Sequence, residues 1–144
     1  MKKVLIIEDD KQIQDNIREI LSFENLSIIT ADDGVAGLEL AREQAPDLII
    51  CDIMIPKLDG YGVLSTLRQE ASTATIPLIF LSGKTEWIDL RQGMELGADD
   101  YLTKPFTVSE LIGAVNARLR KYAALRTKYD QKLRQTEAKL EYVA

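Results

Sequence analysis

Residues 4–7, VLII, are four consecutive apolar positions that stop abruptly at Glu8, Asp9 and Asp10. Behind them Ile13, Ile17, Ile20 and Leu21 recur at intervals of three and four, the period of an amphipathic helix, until Asn25 breaks the pattern. The pair repeats along the chain. A strand over 27–30 precedes a helix carrying Val35 and Leu38, and a strand over 48–51 precedes one carrying Val63, Leu64 and Leu67. A strand over 78–81 leads to a helix over 88–96, and a strand over 101–103 leads past Pro105 to a helix that starts near Ser109. Short strands that are apolar on both faces need cover on both faces, and alternating helices supply it. The pattern therefore predicts an α/β fold with a doubly wound, five-stranded parallel sheet. Neither Gly nor Pro occurs over 114–144, so the last helix is expected to continue as an extended C-terminal helix.

Composition narrows the setting. At 144 residues, 46% hydrophobic and 28% charged, the chain suits one compact domain with an appendage. Its single Cys51 excludes an intrachain disulfide and a thiolate metal cage, and a reducing cytoplasm is the expected location. The basic start at Lys2 and Lys3 is followed by only four apolar residues, too few for a secretion signal, and no later stretch suits a membrane span. Histidine is absent, which removes Ser-His-Asp and Cys-His catalysis, imidazole metal sites and a phosphohistidine carrier. Charge is uneven. Residues 1–119 hold 11 Lys and Arg against 20 Asp and Glu, net −9, whereas 120–144 hold 7 against 3, net +4. The main domain is expected to repel nucleic acid, and no direct nucleic-acid partner is anticipated.

In doubly wound sheets ligands bind beyond the carboxyl ends of the strands, where connections diverge to opposite faces. Those ends carry Glu8, Asp9 and Asp10 on the first strand, Asp52 on the third, Ser82 on the fourth, and Thr103 and Lys104 on the fifth. Carboxylates gathered in one pocket repel and raise one another's pKa unless a hard, oxygen-preferring divalent cation neutralises them, so the pocket is expected to take Mg²⁺. Singly, each residue has a plainer reading. Asp9 or Asp10 reads equally well as a helix cap, Asp52 ahead of Pro56 and Gly60 as turn chemistry, and Lys104 as a solvated surface cation. Jointly those readings fail, because independent turn residues have no reason to place complementary chemistry at four strand ends. Met54, Gly60 and Gly97 read as structural, and Cys51 as a small buried hydrophobe.

The segments VLIIEDD, PDLIICDIMIPKLDGYG, PLIFLSGK and GADDYLTKPF together resemble the receiver domains of bacterial two-component response regulators, over residues 2 to about 121. The resemblance implies a flavodoxin-like (βα)5 fold over 1–121 and a helical tail or connector over 122–144. It implies that Asp52 takes a phosphoryl group from a phosphohistidine on a sensor histidine kinase or phosphotransfer protein. Asp9 and Asp52 would bind Mg²⁺ directly, Glu8 would hold it through water, and the Met54 backbone carbonyl would be a further ligand. Lys104 would supply a compact positive charge to the phosphoryl oxygens and Ser82 a hydroxyl donor. Gly83 departs from the alanine common at its position. The family's switch moves the hydroxyl matching Ser82 and rotates the aromatic residue matching Tyr101 inward, and signal leaves by the fourth helix, fifth strand and fifth helix. Trp87 on that fourth helix is expected to be a partner contact, and the Lys104–Pro105 bond is expected to be cis. Such a chain is a signalling module with self-catalysed phosphoryl transfer and slow autodephosphorylation.

Two other classes fit less well. Haloacid-dehalogenase-like phosphatases also use an aspartyl nucleophile but carry Asp-x-Asp, and Met54 stands at that spacing from Asp52. Gly83, Lys84 and Thr85 echo the end of a Walker A loop, whose first glycine would fall at Leu78. In the tail, taking Tyr122, Tyr129, Thr136 and Val143 as d positions makes Arg126, Leu133 and Leu140 the a positions and pairs Lys132 at g with Glu137 at e. That register predicts a parallel homodimer, with Arg126 and the short length against it.

Overall fold

The computed structural model describes residues 1–83, 95 and 97–143, with backbone alone for 122 and 137–143. Five parallel strands, β1 (Lys2–Ile7), β2 (Leu26–Ala31), β3 (Leu48–Asp52), β4 (Leu78–Ser82) and β5 (Asp100–Thr103), lie in the order β2-β1-β3-β4-β5. Helices α1 (Lys11–Ser22), α2 (Gly34–Gln44) and α3 (Gly60–Gln69) and a long C-terminal helix (Val108–Val143) join and follow them. The expected helix over 88–96 lies outside the described residues apart from Glu95, and Trp87 with it.

Alternation along each strand divides the core between the two faces. Leu5, Ile7, Ile49, Cys51, Leu78 and Phe80 point to one side and bury Leu38 and Ala41 of α2 and Val63, Leu64 and Leu67 of α3. Val4, Ile6, Leu48, Ile50, Ile79 and Leu81 point to the other and meet Ile17 and Leu21 of α1 and Leu111 and Val115 of the C-terminal helix. Full burial of each such side chain stabilises by roughly 1.5–3 kcal/mol, and this two-sided cover is what holds the strands in register. Strand β1 starts two residues before its apolar run, because ladder pairing of Lys2 with Leu26 continues after the side chains have surfaced.

Helix starts are set by short polar caps at the carboxyl edge of the sheet. Asp10, Asp33 and Asp59 accept backbone N–H groups at the starts of α1, α2 and α3. At the C-terminal helix, Thr107 Oγ1 accepts from Glu110 N at 3.0 Å and Glu110 Oε1 accepts from Thr107 N at 3.4 Å, a reciprocal capping box. That helix runs unbroken for 36 residues. Among the described side chains Leu119 is its last one packed on the core, and Leu125, Tyr129 and Leu133 are exposed beyond it. Among the described residues no helix is long and apolar enough to cross a membrane.

Candidate functional site

The sheet order fixes where chemistry can gather. The chain leaves β1 for its neighbour β2 on one side and returns to β3 on the other, so the β1 and β3 exits diverge at the switch point. Register then sets the depth. Ile7 lies opposite Cys51, which brings Glu8 and Asp52 to the same level on adjacent strands, and Ser82 lies opposite Thr103, which brings Lys104 to the edge two strands away.

At the β1 exit the three acidic residues separate into different tasks. Asp10 Oδ1 accepts from Gln12 N at 3.0 Å and Ile13 N at 3.3 Å, so the helix-cap reading belongs to Asp10. Glu8 is buried, and its Oε1 accepts from Asp10 N at 3.3 Å. Asp9 is exposed, and its carboxylate joins those of Glu8 and Asp52, with ligand oxygens all within 4.8 Å of one another.

Asp52 combines turn chemistry with the cluster. Its Oδ1 accepts from Met54 N at 3.0 Å, while its Oδ2 is hydrogen bonded to the Lys104 ammonium. The same ammonium donates to Glu8 Oε2 at 3.2 Å. The Lys104–Pro105 peptide is cis, as expected, and the Lys104 N–H donates to Ser82 O at 2.6 Å. Gly60 backs the site closely: a Cβ there would stand 2.7 Å from Asp52 O and from Ile53 Cα, which only glycine allows. Gly97 has a φ of +97°, a turn conformation suited to glycine. Cys51 is fully buried, and burial pushes its thiol pKa up, so it fills space rather than reacts.

Electrostatics follow from one ammonium shared by two carboxylates, with a third, that of Asp9, beside them. Burial, and then the hydrogen bond and charge of Asp52, push the Glu8 carboxyl up to about 8 despite the opposing pull of Lys104. Burial disfavours the Lys104 ammonium, but Asp52 and Glu8 outweigh it and its pKa is raised. The pocket thus carries surplus negative charge on hard oxygen donors. Glu8, Asp9 and Asp52 are the residues that could hold a divalent cation there, and the donor set suits one with oxygen preference.

Ser82 is buried at the end of β4. Tyr101 is half-buried against the α2/α3 side of the core, and its buried hydroxyl has no hydrogen-bond partner among the described residues. A Cβ at Gly83 would meet no atom within 4 Å among them, and Lys84 and Thr85 lie outside them. Sequence reasoning missed Gln14, which is fully buried and hydrogen bonded to Glu8 O at 2.9 Å. The available signal was an amide on the same helical face as Ile17 and Leu21. A second concavity, a groove of about 700 Å³, opens beneath the projecting helix at the opposite end of the sheet, lined by Arg68, Pro77, Asp99, Arg118, Leu125 and Tyr129. It contains none of the clustered carboxylates.

Residues 4–116 match the family described as the response regulator receiver domain. The chain is 43% identical over 121 residues to the DNA-binding dual master transcriptional regulator RpaA of Synechocystis, covering 84% of this chain and 50% of that one. It is 42% identical over 120 residues to the alkaline phosphatase synthesis transcriptional regulatory protein PhoP of Bacillus subtilis, covering 83% and 49%. It therefore spans about half the length of these relatives. Among solved structures it is similar to the receiver domain of the Francisella response regulator 1452, with a TM-score of 0.79, 36% identity and coverage of 84% and 98%. It is also similar to the receiver domain of the Pseudomonas aeruginosa sensor histidine kinase PA1611, which has a magnesium ion coordinated in its active-site cleft, with a TM-score of 0.77, 27% identity and coverage of 82% and 97%.

Proposed function

The chain belongs to the response regulator receiver domain family, signalling modules of two-component systems, and on that premise we propose that Asp52 is its phosphoacceptor. The observation that carries the reading is the convergence of Asp52, Glu8 and Lys104 at the switch point of the sheet, with one ammonium bonded to both carboxylates. A carboxylate is a weak nucleophile, so transfer depends on alignment and on neutralising the phosphoryl oxygens. Met54 N fixes Oδ1, which leaves Oδ2 as the attacking oxygen. As the Oδ2–P bond forms, the P–N bond to the donor imidazole breaks and its electron pair stays with the leaving nitrogen. Lys104, already on Oδ2, transfers its hydrogen bond to a phosphoryl oxygen, and Ser82 donates its hydroxyl to another. Asp9, Asp52 and the Met54 carbonyl, with Glu8 through water, would hold Mg²⁺, which would supply the remaining positive charge.

The donor in this reading is a phosphohistidine on a sensor histidine kinase or phosphotransfer protein, and acetyl phosphate presents the same labile group. The transfer is self-catalysed, and water slowly hydrolyses the aspartyl phosphate, releasing inorganic phosphate and restoring the Asp52 carboxylate. Ser82 and Tyr101 act as the switch, and the face carrying β5 and the C-terminal helix reads it out. Residues 122–144 form a connector that contributes to a homodimer in parallel register. The unpaired Cys51 accords with action in the cytoplasm.

Mass spectrometry after incubation with acetyl phosphate and Mg²⁺ tests the assignment. The wild-type chain should gain one base-labile phosphoryl adduct on Asp52. An Asp52→Asn chain that still gained an adduct at another aspartate would sink it.

A further inference from the structure

Among the described residues the buried polar side chains are Glu8, Gln14, Asp52, Thr73 and Ser82, and Gln14 is the only amide. It sits in the second turn of α1, on the face where Ile17 and Leu21 enter the core. An apolar side chain would complete that face. Instead Gln14 Nε2 donates to Glu8 O at 2.9 Å, Ala31 O at 3.3 Å and Asp32 Oδ1 at 3.0 Å, and its Oε1 accepts from Lys11 Nζ at 3.2 Å. Glu8 N donates to the same Ala31 O at 3.1 Å. The two carbonyls lie at the exits of β1 and β2, so one side chain from α1 grips both strand ends.

The turn it grips is the one that carries the carboxylates. Between Ile7 and Lys11 the backbone reverses from strand to helix in three residues, and Glu8 and Asp9 leave it in different directions, one buried and one exposed. Asp10 N on Glu8 Oε1 and Gln14 N on Asp10 O tie the far side of the turn to the helix. The near side, at Glu8 O, is held by the Gln14 amide. Buried polar groups fully satisfied in this way specify one geometry rather than many.

We infer that Gln14 is a positioning residue for cation binding, its amide fixing the β1 exit so that Glu8 and Asp9 present their oxygens toward Asp52. It has this role only if those carboxylates bind Mg²⁺, as proposed for Asp52 chemistry. Calorimetric titration of the full chain with Mg²⁺, beside thermal unfolding in chelator, separates positioning from plain packing. Gln14→Met keeps the side-chain length and helix propensity but removes both donors. It should bind Mg²⁺ about tenfold more weakly, as expected when a hydrogen bond that orients a metal ligand is lost. Ile17→Val, on the same buried face, should lower the unfolding temperature and leave Mg²⁺ affinity unchanged. Should Gln14→Met fail to fold, Gln14→Asn, which keeps the donors but shortens their reach, should show a smaller loss of affinity. Wild-type affinity in the Gln14 variants, or equal weakening by Ile17→Val, overturns the positioning role. A wild-type chain that binds no Mg²⁺ overturns the metal reading and this role together.

Discussion

Each end of the sheet holds a half-buried cation against acidic oxygen, yet the two clusters are built on opposite principles. At the amino end, Arg68 donates to Ala74 O, Ile76 O, Gly97 O and Asp99 Oδ2, and the same Oδ2 accepts from Leu78 N. One cation meets one carboxylate, and carbonyls absorb the remaining donors. At the carboxyl end, Lys104 is bonded to both Glu8 and Asp52, and Asp9 adds a third carboxylate beside them. Burial works on the charge of both clusters: it lowers the Arg68 pKa against the pull of Asp99 and raises that of Glu8. A balanced network stabilises the fold and asks for nothing further. A network with surplus charge costs stability until something else binds, which singles it out as the candidate site.

That contrast is open to direct attack. Arg68→Ala leaves the Asp99 carboxylate without its cation and three carbonyls without a donor, so unfolding should require about 3 kcal/mol less free energy, measured by urea denaturation. Mg²⁺ affinity should not change, and a loss there would join the two ends that we treat as separate. Lys104→Ala should slow phosphorylation by acetyl phosphate about a hundredfold, the scale for losing one positioned donor to developing charge. Stopped-flow rates within threefold of wild type would demote Lys104 to a structural cation. Asp9→Asn removes the charge of a proposed ligand and should weaken Mg²⁺ binding about tenfold in the same calorimeter, with little effect on stability.

The smallest effect concerns pH. Glu8 is raised from 4.5 to about 8, so the folded chain holds its proton more tightly than the unfolded one. In chelator, stability should therefore be highest below about pH 4.5 as far as Glu8 is concerned, and its share should be lost as pH rises through about 8. The raised Lys104 pKa acts in the same direction but only above its ordinary 10.5. Glu8→Gln should flatten the fall and stabilise the metal-free chain by about 1 kcal/mol at pH 8. A variant with the same pH slope as wild type would show that the surplus charge is relieved elsewhere.

The carboxyl-end site was legible because its residues lie just past unmistakable apolar runs. Strand ends are the most readable points of such a sequence, and a parallel sheet aligns them. Three features were not legible. Asp9 and Asp10 are identical side chains one position apart, and only the helix start decides which of them caps it. Gln14 lay one residue from Ile13 in a helix read for its apolar period, and polar residues on the inward face are invisible to that reading. The Arg68–Asp99 pair spans 31 positions, a contact created entirely by tertiary packing. The heptad in the tail stands as sequence pattern, with Tyr129 and Leu133 exposed on the helix.

The C-terminal helix is anchored by Leu111 and Val115 on the face of the sheet that it shares with α1, and it runs to Val143 without a break. Beyond Leu119 lie 24 of its 36 residues, about 36 Å of rod at 1.5 Å per residue. A tilt of about 5° at the anchored turns sweeps the far end through about 3 Å, nearly the distance between neighbouring Cα atoms. A small rotation at the anchored turns is thus multiplied into a displacement of about 3 Å at the tip, mechanical gain obtained from length and stiffness alone.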